Sequence, residues 1–373
     1  MKIKLSRKVL GLAVASALLG SAVSAQADVK IGVAGPFSGP QAQFGQMQID
    51  GINMAAKHLN AKGGINGEKI EIVQYDDACE PKQATSVANQ AVNDGVMFII
   101  GHLCSSSTLP ASDVYEDEGV VMITPASTNP EITERGYEFL FRTVGRDDQQ
   151  GPFAAQVVAN TKPKKVAVIH DKSAYGEGLA SQVKSTLDSL GVNVVLFEAI
   201  TPNEADYSPL ITKLKSNKID AMFFGGYDPE MAKIMRQGRE SGFNGQFFGG
   251  DGVSNSKVVE GAGPAADGLI ATQPKAFDGD PRNAALVAEF KAVGINASDT
   301  FVLPTYAATI ALAQAIEKAG EFDGDAVIKA LRTGTYKTAV GNITWDAKGD
   351  IKGGENTFAA YRWSADGTFK LVD

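Results

Sequence analysis

Short β-rich runs alternate with helical stretches along almost the whole chain, and that alternation leaves few folds open. Residues 29–34 read as a strand; a helix follows through Met47, Ile49, Ile52, Ala55, Ala56 and Leu59 and stops at Gly63-Gly64. The next strand is 70–75, followed by a helix near 82–94, a strand at 96–100, a helix near 106–118 and a strand at 120–124. Strands joined through helices are parallel, and the helices then cover both faces of the sheet. The pattern restarts with strand 166–169 and continues through helix 177–190, strand 192–200, helix 206–217, strand 219–224, helix 229–241 and strand 246–248. No sequence repeat links the two units. Helices at 283–293 and 304–319 and short strands near 342–345 and 358–363 come after both. The expectation is an α/β protein of two doubly wound parallel-sheet lobes. The late elements extend both lobes and make each discontinuous; a simple two-bead chain is the competing layout.

The first 27 residues lie outside this pattern. Lys2, Lys4, Arg7 and Lys8 precede an uncharged apolar run at 9–20, and Ala25-Gln26-Ala27 supplies small residues. These are the three parts of a secretory signal. The run falls short of the roughly 20 residues a bilayer span needs, so a cleaved signal is expected rather than an anchor. The mature chain would begin at Asp28, with cleavage after Ala25 as the alternative. Residues 28–373 exceed the usual size of one core, in keeping with two lobes. No later segment is long and apolar enough to cross a membrane.

Of the 35 Lys and Arg residues, the leader holds four, leaving 31 against 43 Asp and Glu and a net charge of −12. That balance argues against a nucleic-acid partner, because phosphate binding needs clustered basic residues. The two cysteines, Cys79 and Cys104, both follow the leader. In an exported protein such a pair is most simply a disulfide, with two free thiols as the alternative.

Ligands of open α/β sheets bind beyond the carboxyl ends of the strands. One such loop is Gly101-His102-Leu103-Cys104-Ser105-Ser106-Ser107-Thr108, and another is Pro125-Ala126-Ser127-Thr128-Asn129-Pro130. Both are rich in hydroxyls, and the first opens a helix whose free N–H groups suit an anion or an ordinary N-cap. In the second unit a strand runs into Gly249-Gly250-Asp251-Gly252. A carboxylate among glycines can meet a ligand closely and bind an ammonium, or serve as a turn aspartate. Gly225-Gly226-Tyr227-Asp228 is a similar exit carrying an aromatic ring. Together, one lobe offers donors to a carboxylate and the other a carboxylate to an ammonium, which suits a zwitterion.

Other signals carry little. Residues 261–266 match a relaxed dinucleotide fingerprint but follow no strand and contain Pro264. The calcium-loop-length segment 278–289 has Arg282 at a ligand position and Asn283 where glycine is needed. His58, His102 and His170 show no metal spacing. No Gly-x-Ser-x-Gly elbow occurs, so a secreted hydrolase using Ser105 or Ser106 with His102 is a remote alternative.

Four segments carry a family resemblance: residues 75–84 (Tyr75-Asp76-Asp77-Ala78-Cys79-Glu80-Pro81-Lys82-Gln83-Ala84), 101–108, 115–119 (Tyr115-Glu116-Asp117-Glu118-Gly119), and His170-Asp171-Lys172 with Tyr175-Gly176-Glu177-Gly178. In these the chain resembles the periplasmic binding proteins for branched-chain amino acids of ABC transport systems, over essentially all of 28–373. The resemblance implies a type I periplasmic-binding fold with a three-segment hinge. The N-terminal lobe would be 28–146 plus 276–353, and the C-terminal lobe 147–275 plus 354–373. It implies a Cys79–Cys104 disulfide. It places a ligand carboxylate against Ser105, Ala126 and Thr128, and an ammonium against Asp251 with help from the carbonyl of Ser105 or Ala126. Phe44, Leu103, Cys104, Tyr175, Tyr227, Gly252 and Phe301 would form the side-chain pocket. The family usually carries Glu where this chain has Asp251, and often Tyr or Trp where it has Phe44.

The implied function is capture of leucine, isoleucine, valine, and by extension alanine or threonine, by hinge closure and delivery to an inner-membrane ABC permease. A same-fold receptor for another small amino acid or an amide is the alternative. The resemblance implies a periplasmic monomer that is not an enzyme, with no cofactor and no metal.

Overall fold

The computed structural model describes residues 29–353 and 358–372, so the expected leader lies outside the described residues. Five strands form the first sheet: β1 (Val29–Gly35), β2 (Ile70–Asp76), β3 (Phe98–Ile100), β4 (Val121–Thr124) and β5 (Leu140–Arg142). They pair in the order β2-β1-β3-β4-β5, all parallel. β3, β4 and β5 are buried throughout, as parallel strands covered on both faces should be, whereas the edge strand β2 mixes buried and exposed positions.

The second sheet begins with β6 (Val166–His170), β7 (Val194–Ala199), β8 (Ala221–Gly225), β9 (Gln246–Gly249) and β10 (Ile270–Pro274). Their order, β7-β6-β8-β9-β10, repeats that of the first sheet strand for strand. The two units are thus one architecture written in two unlike sequences. Three differences from the sequence reading stand out here. The second sheet is mixed, because β13 (Phe358–Trp363) adds antiparallel to β10 and β14 (Phe369–Leu371) antiparallel to β13; β11 (Tyr336–Thr338) and β12 (Gly341–Ile343) form a separate hairpin. β5 and β10 were not foreseen; Arg142 closes the first and Gln273-Pro274 the second, which obscures an apolar run. The helix Asp147–Asn160 was also missed, since Gly151 and Pro152 both disfavour helix.

The late elements divide between the sheets. Helix Val302–Ala319 follows the second unit but packs into the first core, where Ala307, Ala308, Ala311 and Leu312 meet Ile31, Val33, Ile52 and Leu59. Gly51 permits the close approach, since a Cβ there would lie 2.4 Å from the Val302 carbonyl oxygen. Helix Gly324–Thr333 joins the same core. β13 then returns to the second sheet, with Trp363 in its core beside Phe247. A two-bead chain is therefore not what forms. Among the described residues no helix is long and apolar enough to cross a membrane.

Both sheets aim the carboxyl ends of their strands at a shared cleft. A further apolar cluster fills it and draws on both sides: Phe44, Leu103, Ala126 and Phe301 from one, Tyr175 and Tyr227 from the other.

Candidate ligand-binding site

The first half of the site is two loops locked together by hydroxyls. The main-chain oxygen of His102 accepts from Thr124 Oγ1 (2.7 Å), Ser127 Oγ (3.1 Å) and Thr108 Oγ1 (3.3 Å), and Ser127 Oγ also donates to the Leu103 carbonyl (2.8 Å). Behind them the His102 ring is fully buried between Asp77 (2.5 Å from Nδ1) and the Tyr115 hydroxyl (3.1 Å from Nε2). Asp77 in turn accepts from the Cys79 N–H (2.7 Å), and Cys79 is bonded to Cys104. This scaffold starts helix Ser105–Asp117 at the cleft. Ser107 and Thr108 N–H close onto the Cys104 carbonyl, so the preceding amides have no acceptor within the helix, and Ser105 lines the cleft.

The second half is built around a carboxylate. β9 delivers Gly250 and then Asp251, which opens a 3-10 turn at Asp251–Val253. The Tyr175 hydroxyl donates to Asp251 Oδ1 (2.9 Å) and accepts from the Gly252 N–H (3.0 Å). Tyr175 itself is set by helix Ala174–Ser189, capped by Ser173 Oγ on the Gly176 N–H. Glycine at 252 is a packing requirement: a Cβ would sit 2.5 Å from the Gly226 carbonyl oxygen. Asp251 is buried, and burial lifts its carboxyl from 3.8 to about 6 against the lowering effect of its hydrogen bonds.

These halves close on a tight cavity lined by Phe44, Leu103, Ser105, Ala126, Thr128, Tyr175, Tyr227, Asp251, Gly252 and Phe301. Every residue singled out in the sequence for the pocket is in that wall except Cys104, whose sulfur is spent on the disulfide to Cys79. The aromatic side is continuous: Phe44 lies 5.7 Å from Phe301 and 6.1 Å from Tyr227, and Tyr227 5.3 Å from Tyr175. The wall contains one carboxylate and no basic side chain. Beside the carboxylate, the same wall holds the hydroxyls of Ser105 and Thr128.

Sequence reasoning missed Asp147, the first residue of helix Asp147–Asn160. It is wholly buried, and the side chain facing its carboxylate is the Thr128 hydroxyl, with no cation paired to it. Burial first, and then the Asp251 charge, hold its carboxyl well above the usual range. The nearby cation, Arg142, is committed elsewhere, to Asp350 (2.7 Å) and to the carbonyls of Ser127 and Asn129. An acid in the first turn of a helix is ordinary in a sequence, so nothing marked it.

The hydrolase reading loses further ground. His102 has both ring nitrogens engaged, and Ser105 and Ser106 Oγ accept from the main-chain N–H groups of Asn129 and Ala174, so no nucleophile–base pair exists there. Among the described residues no cluster of three or more metal-binding side chains occurs.

Comparison with known proteins agrees with this geometry. A family model described as a periplasmic binding protein matches residues 28–368. The chain is 48% identical over 366 residues to the leucine-, isoleucine-, valine-, threonine- and alanine-binding protein of Pseudomonas aeruginosa, covering 98% of this chain and 97% of that one. It is similar in structure to a leucine binding protein from Thermotoga maritima (TM-score 0.85, 30% identity, 92% of this chain and 98% of that one). It is also similar to the branched-chain amino acid transporter substrate binding protein of Streptococcus pneumoniae solved with isoleucine (TM-score 0.83, 25% identity, 93% and 99%).

Proposed function

The chain belongs to the periplasmic-binding-protein family, and from that premise we propose that it captures leucine, isoleucine and valine, with alanine and threonine as smaller guests, for delivery to an ABC permease. It is a substrate-binding protein of type I fold and not an enzyme. The observation that carries the reading is Asp251: a buried carboxylate, uncompensated by any basic residue in a wall it shares with Ser105, Ala126 and Thr128.

The guest's carboxylate meets the Ser105 hydroxyl and the amides of the helix start and of Ala126. Its ammonium meets Asp251, with the buried Asp147 carboxyl close by. Both sets of bonds are charge-assisted and strengthen as water leaves. Phe44, Leu103, Tyr227 and Phe301 cover the aliphatic tail, worth about 0.8 kcal/mol per buried CH₂. A guest that touches both lobes favours the closed form by its differential affinity.

The lobes divide as 28–146 with 276–353, and 147–275 with 354–373, a division supported by how the two sheets and cores share the late elements. Periplasmic residence and monomeric behaviour fit the family and the leader read at residues 1–27. Calorimetry with leucine, isoleucine, valine, alanine and threonine, set against 4-methylvalerate (no ammonium) and isopentylamine (no carboxylate), tests the assignment. The branched amino acids should bind and both single-charge analogues should lose at least about 100-fold, roughly 2.7 kcal/mol. An analogue that binds as tightly as leucine overturns the two-ended recognition.

A further inference from the structure

Where the chain crosses from β10 back toward the first core, four polar side chains from four separate segments meet in the interior. Ser254 ends the 3-10 turn opened by Asp251, Gln273 lies on β10, Thr300 precedes helix Val302–Ala319, and Trp363 ends β13. All four are buried. Ser254, Gln273 and Trp363 sit on the second sheet or on the turn that leaves it. Thr300 alone comes from the segment whose helix packs into the first core.

The hydrogen bonds among them have a defined direction. Trp363 Nε1 donates to Ser254 Oγ (3.2 Å), and Ser254 Oγ donates to Gln273 Oε1. Thr300 Oγ1 lies 2.8 Å from the Ser254 carbonyl oxygen and 3.4 Å from Gln273 Oε1. A hydroxyl has a single proton, so the shorter contact, to the Ser254 carbonyl, is the bond Thr300 makes. Within this group it is the bond that ties the first core to the second sheet.

Each end of that bond is one step from the ligand cavity. The Ser254 N–H donates to the Asp251 carbonyl (3.1 Å) and so closes the turn that aims the carboxylate. Thr300 is followed directly by Phe301 of the cavity wall. The bond therefore sets the spacing between the group that meets the guest's ammonium and a ring that covers its tail. A small void between Pro274 and Ala276 on one side and Leu303 and Pro304 on the other gives the crossing segment room to shift.

We propose that Thr300 is a positioning residue for amino-acid capture: its hydroxyl docks on the Ser254 carbonyl as the lobes close and sets Asp251 against Phe301. The proposal rests on the capture reading and adds to it a residue outside the cavity wall. In the open form water serves both the hydroxyl and the carbonyl, so the bond contributes to closure and little to the folding of either lobe. Without the donor, closure leaves the Ser254 carbonyl dry and unpaired, which disfavours the closed form. Affinity falls by the same factor as the closed population.

The test compares two substitutions in the full protein, purified free of ligand. Thr300→Val keeps the branched shape and removes the donor; Thr300→Ser keeps the donor. By calorimetry Thr300→Val should weaken leucine binding at least fivefold, and stopped-flow fluorescence should show faster release. The urea midpoint of the leucine-free protein should stay where it is, and Thr300→Ser should bind leucine within twofold of the parent. A smaller loss in Thr300→Val, or a Thr300→Ser protein as weak as Thr300→Val, overturns the proposal. A lowered midpoint in the leucine-free protein marks the threonine as structural and overturns it too. Should Thr300→Val fail to fold by circular dichroism, Thr300→Ala takes its place under the same criteria, and failure of both to fold overturns the positioning role. A parent protein that binds none of leucine, isoleucine and valine overturns the capture reading itself, a result distinct from all of these.

Discussion

Replacing Asp251 with Asn should weaken leucine binding and stabilise the ligand-free protein at the same time. The carboxyl is lifted from 3.8 to about 6 by burial, and a shift of that size corresponds to about 3 kcal/mol between its protonated and charged forms. A raised pKa means the folded protein holds this proton more tightly than the unfolded chain does. The associated stability is fully present below the unfolded value near 3.8, declines as the pH climbs, and is gone above about 6. At pH 7.5 the native protein therefore carries the full cost of a buried charge. Asn has the same shape and can still accept from the Tyr175 hydroxyl, which donates at 2.9 Å, but it does not ionise. Urea unfolding of Asp251→Asn at pH 7.5 should show a gain of about 1–3 kcal/mol that shrinks toward zero at pH 4. Leucine affinity at pH 7.5 should fall by about 3 kcal/mol, roughly 100-fold, because the guest's ammonium enters a dry site without its partner. Affinity within threefold of the parent, or a stability difference that is negative and independent of pH, would refute the reasoning.

Three further outcomes follow from the same geometry. Opening the Cys79–Cys104 disulfide, which spans 25 residues, by Cys79→Ser should cost about 3–4 kcal/mol in urea unfolding, and the difference should vanish when both proteins are reduced. Gly252→Ala would place a methyl 2.5 Å from the Gly226 carbonyl oxygen and 2.9 Å from Tyr175 Cε1, so calorimetry should show leucine affinity down at least tenfold with a stability loss of about 1–3 kcal/mol. Arg142→Ala takes from Asp350 its partner at 2.7 Å, leaving Arg146 at 2.8 Å, and frees two buried carbonyls, so unfolding should come about 2–4 kcal/mol more easily.

The parts of the site that were legible in the sequence are those where a residue type conflicts with its surroundings. A carboxylate among glycines at a strand end, as at Asp251, has few structural excuses, and a hydroxyl-rich loop before a helix, as at Ser105, invites an anion. The family resemblance supplied the aromatic wall, since Phe44, Tyr227 and Phe301 are indistinguishable from core residues by pattern alone. Asp147 escaped because its significance lies in what surrounds it: burial, a missing counter-ion, and Asp251 brought near through the fold. The strand at 358–363 was legible, but its antiparallel pairing, and β14 altogether, escaped for a different reason. An edge strand pairs with whatever edge is open, and the direction of that pairing is decided by where the chain has returned from.

The bonds from the Ala174 N–H to Ser106 Oγ (3.1 Å) and from Asn129 Nδ2 to the Ala174 carbonyl (2.6 Å) bridge the lobes through main-chain atoms outside the cavity wall. None of these three residues lines the cavity, so no guest touches them. Breaking the two bonds is a toll common to every passenger, so dissociation of different cargoes should converge on one slow unlatching step, while their differences show mainly in how often capture succeeds. The clasp sets the tempo of exchange, and the cavity only chooses who is held.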